Sequence, residues 1–359
     1  MLRVGMLTSG GDCQGLNAAM RGVAKTLYEQ VDEVEIYGFI DGYRGLIEFD
    51  YRYMSPAQFS GILTLGGTIL GTSRQPFKNM LDPIEGSSMT KLEAMITSYR
   101  RLNLDCLVTL GGNGTHKTAK LLADHDLNVI GLPKTIDNDL WGTDKSFGFQ
   151  SAVDIATSVI DGIHTTATSH GRIFIIELMG HNVGWLTLHA GVAGGADVIL
   201  IPEIPYRVES VARAISARSS QKKRFSIIAM AEGAIEASEA DLSREELKLA
   251  RSTMEYPSVA YRLAAQLDAE MGQEIRVTVP GHFQRGGTPC PYDRVLATRC
   301  GCYGAELILK GEFGYMVGVH DNVMVKVPLE EVAGRLKSVP LDNDLVTFAR
   351  RSGIFFGDE

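Results

Sequence analysis

At 359 residues, with 45% hydrophobic and 22% charged side chains, the chain has an ordinary globular composition and is long enough for two cores. A formal net charge of −8 argues against a general nucleic-acid binder, while leaving room for a local basic pocket. Five cysteines (Cys13, Cys106, Cys290, Cys300, Cys302) make no paired framework, and Cys300-Gly301-Cys302 is too isolated for zinc, which takes about four ligands.

Unpaired thiols predict a reducing, cytoplasmic setting. The start of the chain enters a strand at Leu2–Leu7, so no signal peptide is expected. The most apolar long window, Val183–Ile201, contains His189, Asp197 and several glycines; it predicts a buried helix and strand rather than a membrane span.

In chain order, Arg3–Leu7 predicts a buried strand, Thr8–Asn17 a turn around Gly10 and Gly11, and residues from about Ala18 to Glu29 a helix. Glycines at such a turn let the backbone approach an anion, though they equally serve to pack a helix on a sheet. The turn is neither a Walker A loop nor a GxGxxG fingerprint. A second strand is expected at Glu35–Phe39. Gly66–Arg74 is another glycine-rich loop, whose Arg74 could pair with a polyphosphate or simply be solvated. Lys91–Leu102 predicts a helix, Cys106–Leu110 a strand, Gly111–Thr115 a third glycine turn, and His116–His125 the next helix. The repetition argues for a parallel, helix-flanked sheet.

The apolar run Leu127–Leu132 predicts a strand, followed by Pro133-Lys134-Thr135-Ile136-Asp137-Asn138-Asp139. Three polar side chains at Thr135, Asp137 and Asp139 could place a general base and a hydroxyl substrate together at a strand end. They could as well be a turn in which Asp and Asn cap backbone amides.

A second set of strands and helices is expected from residue 148: a helix over Gly148–His164, strands at Arg172–Leu178, Asp197–Ile201 and Arg224–Glu232, and a helix ending near Ala193. His189, in an apolar helix, reads as a packed core imidazole. Ala237–Glu255 is highly charged and predicts a solvated surface segment; Ser258–Met271 predicts a helix. Arg276–Val279 runs as a strand into Pro280–Gly287, which carries His282 and Arg285, and a helix follows from about Pro291 to Leu309. Strand-end cations in an acidic chain are candidates for a sugar phosphate, or singly for helix caps and surface ion pairs.

Taken together, the turn with Gly10, Gly11, Asp12 and Asn17, the Gly111–Thr115 turn, Pro133–Asp139, Met179-Gly180, Glu232, Gly281–Gly287 and Pro291–Arg294 resemble the phosphofructokinase family over about residues 1–305. The resemblance implies an α/β fold of two Rossmann-like three-layer domains with largely parallel sheets and the active site in the cleft between them. It divides the chain into a donor domain (1–146 plus about 284–338) and a sugar-phosphate domain (about 147–283 plus the C-terminal tail). The implied reaction is Mg²⁺-dependent transfer of the ATP γ-phosphoryl group to the 1-hydroxyl of fructose 6-phosphate, a step of glycolysis. Pyrophosphate is the alternative donor, and sedoheptulose 7-phosphate an alternative acceptor.

By the same resemblance Asp137 would be the base, with Thr135, Asp139 and Lys134 beside it. Gly11, Tyr43, Arg74, Gln75, Gly112, Asn113, Gly114 and Thr115 would line the donor. Thr135, Ile136, Asp137, Arg172, Met179, Gly180, His181, Glu232, Arg276, His282, Phe283, Gln284 and Arg285 would hold the sugar phosphate. The counterparts of Arg172 and Arg276 reach in from a neighbouring subunit, which implies a homo-oligomer, usually a tetramer, with a dimer as the alternative. Neither nucleic acid nor a membrane is expected as a partner.

Gly at 114 goes with ATP and Asp there with pyrophosphate, because a carboxylate would fill and repel the α-phosphate space. Lys at 134 is usual in pyrophosphate users; a mixed, mostly ATP-dependent subgroup carries Gly and Lys together, as here. Two positions depart from the family pattern. Asn113 replaces an acidic Mg²⁺ ligand, so the metal would lean on the donor phosphates and waters. His181 replaces an Arg on the transferring phosphoryl group. These departures also fit a silent, nucleotide-binding subunit. The effector pocket is only partly kept, with Arg21, Lys25, Lys222 and Lys223 present but His164 for an Arg, which predicts weak or absent allostery.

Overall fold

The computed structural model describes residues 1–268, 271 and 273–358. Along the chain its strands are β1 (Leu2–Thr8), β2 (Val34–Phe39), β3 (Tyr51–Tyr53), β4 (Cys106–Gly111), β5 (Val129–Thr135), β6 (Phe147–Gly148), β7 (Ile173–Leu178), β8 (Val198–Leu200), β9 (Ser226–Ala231), β10 (Ile275–Thr278), β11 (Tyr315–His320) and β12 (Val323–Pro328). They form two sheets, one in each of two compact units: Met1–Ser151 with Arg285–Lys337, and Ala152–Gln284 with Ser338–Glu359.

In the first unit the sheet runs β12-β11-β5-β4-β1-β2-β3, with β6 paired to the end of β5. Pairs β1–β2, β1–β4, β4–β5, β5–β6 and β5–β11 are parallel, and the outer pairs β2–β3 and β11–β12 are antiparallel. Both faces are covered, so β1, β4 and β5 are apolar on both sides. Val4, Met6, Val108, Leu110, Ile130 and Leu132 pack with the helices Leu16–Gln30 and Pro291–Leu309. Leu7, Leu107 and Val129 point the other way, onto the helices Lys91–Arg101 and Asn113–Ala123. Each such fully buried aliphatic side chain contributes roughly 1.5–3 kcal/mol. The second unit repeats the plan with a parallel sheet, β10-β7-β9-β8. Ile173, Ile175, Ile228 and Met230 face the helices Val208–Ser220 and Val259–Asp268; Ile176, Leu178, Ile227 and Ala229 face the helices Phe149–His170, Trp185–Ala193 and Asp344–Arg351.

Three local readings gain detail. β5 does not stop at Leu132 but continues through Pro133 and Lys134 to Thr135. A proline is tolerated there because, on one side, β11 pairs only up to Gly131 and β6 only from Lys134, so no ladder bond is asked of position 133. The charged stretch 237–255 is a 3₁₀ turn (Ala237–Glu239) and a helix (Arg244–Ser252) that buries none of its own residues, as expected of a surface segment. Glu239 nevertheless receives both Arg262 terminal nitrogens, at 2.5 and 2.9 Å, so the segment is tied down at its start. The helix read over Ser258–Met271 spans Val259–Asp268, while residues 269 and 270 lie outside the described residues. No helix among the described residues is long and apolar enough to cross a membrane.

Candidate active site

The site is built outward from the end of β5. Thr135 and Asn138 serve the backbone: Thr135 Oγ1 accepts the Asp137 N–H at 3.0 Å, and Asn138 Oδ1 accepts the Ser146 N–H at 3.1 Å. Asn138 Nδ2 donates to the Asp144 carbonyl at 3.2 Å, and Ser146 Oγ donates to the Thr135 carbonyl at 2.8 Å. Asn138 has φ 52°, a left-handed conformation that Asn accepts more easily than most residues. Thr135, Asn138 and Ser146 close the turn, whereas Asp137 and Asp139 stay half-buried and Ile136 is buried.

Lys134 extends from β5 to the first glycine turn, where its ammonium donates to the Gly11 carbonyl. Burial pulls its pKa down; Cys13, Asp137 and Asp12 act in the opposite direction, and Arg285 adds to the lowering. The Arg285 guanidinium lies over Gly11 so closely that a side chain at Gly11 would displace it. Arg285 Nε is buried with no hydrogen-bond partner, a donor left unsatisfied by the chain itself. Gly10, at φ 85°, requires glycine-like freedom; Thr72 Oγ1 donates to its carbonyl at 2.7 Å, and its N–H donates to the Ser73 carbonyl at 3.2 Å. This brings the loop before Arg74 and Gln75 alongside the first turn, with Arg74 exposed and Gln75 half-buried.

The third glycine turn opens the helix Asn113–Ala123 behind Gly112, and its first amides have no partner inside the helix. Gly114 is exposed, and a Cβ built on it would meet nothing within 4 Å. Three of the residues expected at the donor are engaged within the chain. Tyr43 is 1% exposed, and its hydroxyl donates to the Thr115 carbonyl at 2.9 Å. Thr115 is itself buried, with Oγ1 donating to the Ser9 carbonyl at 3.5 Å. Both support the turn from beneath. Asn113, expected at the metal, spends its carboxamide on residues 334 and 335: Oδ1 accepts the Gly334 N–H at 3.0 Å and Nδ2 donates to the Arg335 carbonyl at 2.7 Å. Among the described residues no group of three or more His, Cys, Asp or Glu side chains stands together to hold a metal.

In the second unit, Arg172 at the start of β7 and Arg276 in β10 both pair with Glu274. Glu274 escaped the sequence reading because nothing in the run before β10 distinguishes it from any exposed carboxylate. The Met179-Gly180-His181 turn is held by side chains from two other segments: Gln284 Oε1 accepts the Met179 N–H at 3.3 Å, and Glu232 Oε1 accepts the His181 N–H at 2.9 Å. Gly180 at φ 146° and His181 at φ 53° make the reversal. Gln284 is fully buried, while His282 and Phe283 are exposed, Phe283 at 71%. Gln284 is accordingly a scaffold for the turn, and Phe283 packs on little within this chain. His189 is half-buried rather than a core imidazole and stacks on Trp185 with centroids 6.3 Å apart. His164 Nε2 lies 2.7 Å from the Gly194 carbonyl.

Residues 3–308 match the model of a family described as phosphofructokinase. An ATP-dependent 6-phosphofructokinase of Spirochaeta thermophila is 55% identical over 358 residues, covering 99% of this chain and 97% of that protein. A pyrophosphate–fructose 6-phosphate 1-phosphotransferase of Amycolatopsis methanolica is 42% identical over 357 residues, 99% of this chain and 100% of that one. Among solved structures, phosphofructokinase from Saccharomyces cerevisiae superposes with a TM-score of 0.78 at 29% identity, over 92% of this chain; the present chain spans 45% of that one.

Proposed function

This chain belongs to the phosphofructokinase family, and from that we propose that it is an ATP-dependent 6-phosphofructokinase, transferring the γ-phosphoryl group of ATP to the 1-hydroxyl of fructose 6-phosphate. The observation that carries the reading is the 55% identity to the ATP-dependent enzyme along essentially the whole of both chains. The unfilled space beyond Gly114 is what an α-phosphate requires.

In this reading Asp137 accepts the proton of the sugar 1-hydroxyl as its oxygen bonds to the γ-phosphorus and the bond to the β–γ bridging oxygen breaks, leaving ADP. Thr135 and Asp139 keep the base loop in place, and Lys134 supplies positive charge beside the first turn. The backbone of Gly11 and Gly112–Gly114, with Arg74 and Gln75, receives the donor phosphates. Arg172, Met179, Gly180, His181, Glu232, Arg276, His282 and Arg285 hold the sugar phosphate; the Arg172 and Arg276 pair serves a neighbouring protomer in a homotetramer, a homodimer being the smaller possibility. The donor phosphates would hold Mg²⁺, which would supply neutralisation of their charge. The setting is cytoplasmic glycolysis.

A second reading, with pyrophosphate as donor, is favoured by Lys134 at the first turn and by the 42% identical pyrophosphate enzyme. Purified protein is assayed with MgATP and with pyrophosphate, against fructose 6-phosphate and sedoheptulose 7-phosphate. Turnover with ATP and fructose 6-phosphate is the expected result; turnover with pyrophosphate alone replaces the first reading with the second, and no turnover with either donor leaves the silent-subunit alternative.

A further inference from the structure

The Asn113 carboxamide matches two consecutive backbone groups of opposite polarity, the Gly334 N–H at 3.0 Å and the Arg335 carbonyl at 2.7 Å. An aspartate could answer only the first and would set a carboxylate oxygen against the carbonyl. Two residues further on, the Lys337 N–H donates to the Asp139 carbonyl at 2.9 Å, and Leu336 bridges Leu140 in antiparallel fashion. The Arg335 guanidinium lies 4.1 Å from the centre of the Trp141 ring, and the Lys337 ammonium donates to the Thr143 and Asp144 carbonyls at 2.7 and 3.0 Å. Residues 334–337 are therefore a strap. One end is fastened to the first residue of the helix behind the donor turn, the other to the loop that carries Asp137.

We infer that Asn113 is a positioning residue: by holding this strap it keeps the donor turn in register with the base loop, and that requirement for a donor as well as an acceptor explains an amide where the family carries an acid. The inference rests on the phosphoryl-transfer reading for its catalytic consequence, since a misplacement of about 1 Å between reacting groups can cost about 10²-fold.

The full-length protein, Asn113→Asp and Asn113→Ala are compared by steady-state kinetics over a Mg²⁺ series and by amide hydrogen exchange followed in peptides. Both variants are expected to lower kcat by about tenfold or more, with the Mg²⁺ half-saturation unmoved. Exchange is expected to speed up in 330–337 and also in 137–145, a distant response that a merely local structural role would not produce. An Asn113→Asp variant with higher turnover or tighter Mg²⁺ dependence makes the position a metal ligand and overturns the inference. So does faster exchange confined to 330–337, or unchanged kcat. Should the variants not fold, unprotected Gly334 and Lys337 amides in the unaltered protein overturn it as well. Absence of turnover with either donor in the unaltered protein defeats the phosphoryl-transfer reading, and the exchange data still decide whether the strap joins the two loops.

Discussion

At the scale of single residues, the turn after β5 shows how one short run divides its labour. Thr135, Asn138 and Ser146 are consumed by backbone hydrogen bonds, which leaves Asp137 half-buried with its backbone fixed. In its proposed role as base, Asp137 should lose its chemistry without its fold when the carboxylate is made an amide. Asp137→Asn is expected to lower kcat by about 10³-fold while fructose 6-phosphate binding, followed by calorimetry, stays within about threefold; turnover near that of the unaltered enzyme removes Asp137 from the role. Gly114 invites the complementary experiment. Its Cβ direction is open and it lies in the first turn of a helix, where a negative charge is favoured by about 0.3–1 kcal/mol. Gly114→Asp should hold or raise the melting temperature yet cut kcat/KM for MgATP by about 10²-fold or more, because like charges repel strongly at a partly desolvated phosphate site. Pyrophosphate use should suffer far less, and equal losses with both donors would refute the steric account. Asn113 is the residue at which family pattern and geometry part, since its amide is spent on Gly334 and Arg335.

At the scale of elements, the helix Asn113–Ala123 is seated on β5 through His116, which is fully buried and pressed against the Gly131 backbone so closely that no side chain could stand there. Burial, with the nearby Lys134 charge, lowers the His116 pKa to about 3. In the unfolded chain an imidazole titrates near ~6.5, so between pH 6.5 and 3 the unfolded state takes up a proton that the folded state refuses. Stability from this residue is complete above about pH 6.5 and is lost as the pH falls. Between pH 7 and pH 5 the loss should be about 2 kcal/mol by proton linkage. Urea unfolding of His116→Leu should show that much less destabilisation over the same interval, and an unaltered acid slope would mean that His116 titrates normally. The edge formed by β7 and β10 makes a different point. Its two arginines share Glu274 at partly exposed positions, so the trio contributes little to stability and is more telling as a store of oriented cations.

At the scale of the whole molecule, each unit is a sheet covered on both faces, and the proposed donor residues belong to the first while most proposed sugar-phosphate residues belong to the second. Arg172 and Arg276 are proposed to act in trans, so sedimentation velocity should give a homotetramer, and a monomer with full activity would end that assignment. The sequence by itself determined the parallel architecture and the positions of β1, β2, β4, β5 and β7 to β10, because apolar runs bounded by glycine turns can satisfy both faces of a buried sheet in only a few ways; it did not announce β3, β6, β11 or β12, which are short or lie at or beside the sheet edges. It also determined the family, since many motifs in fixed order are hard to meet by chance. What only the tertiary structure decided were the partners of polar side chains. Tyr43 beneath the third glycine turn, Glu274 between two arginines, and Asn113 clasping a segment more than 200 residues away depend on hydrogen bonds made after the chain has closed on itself. Such bonds are directional and short, and no local pattern of residues announces them.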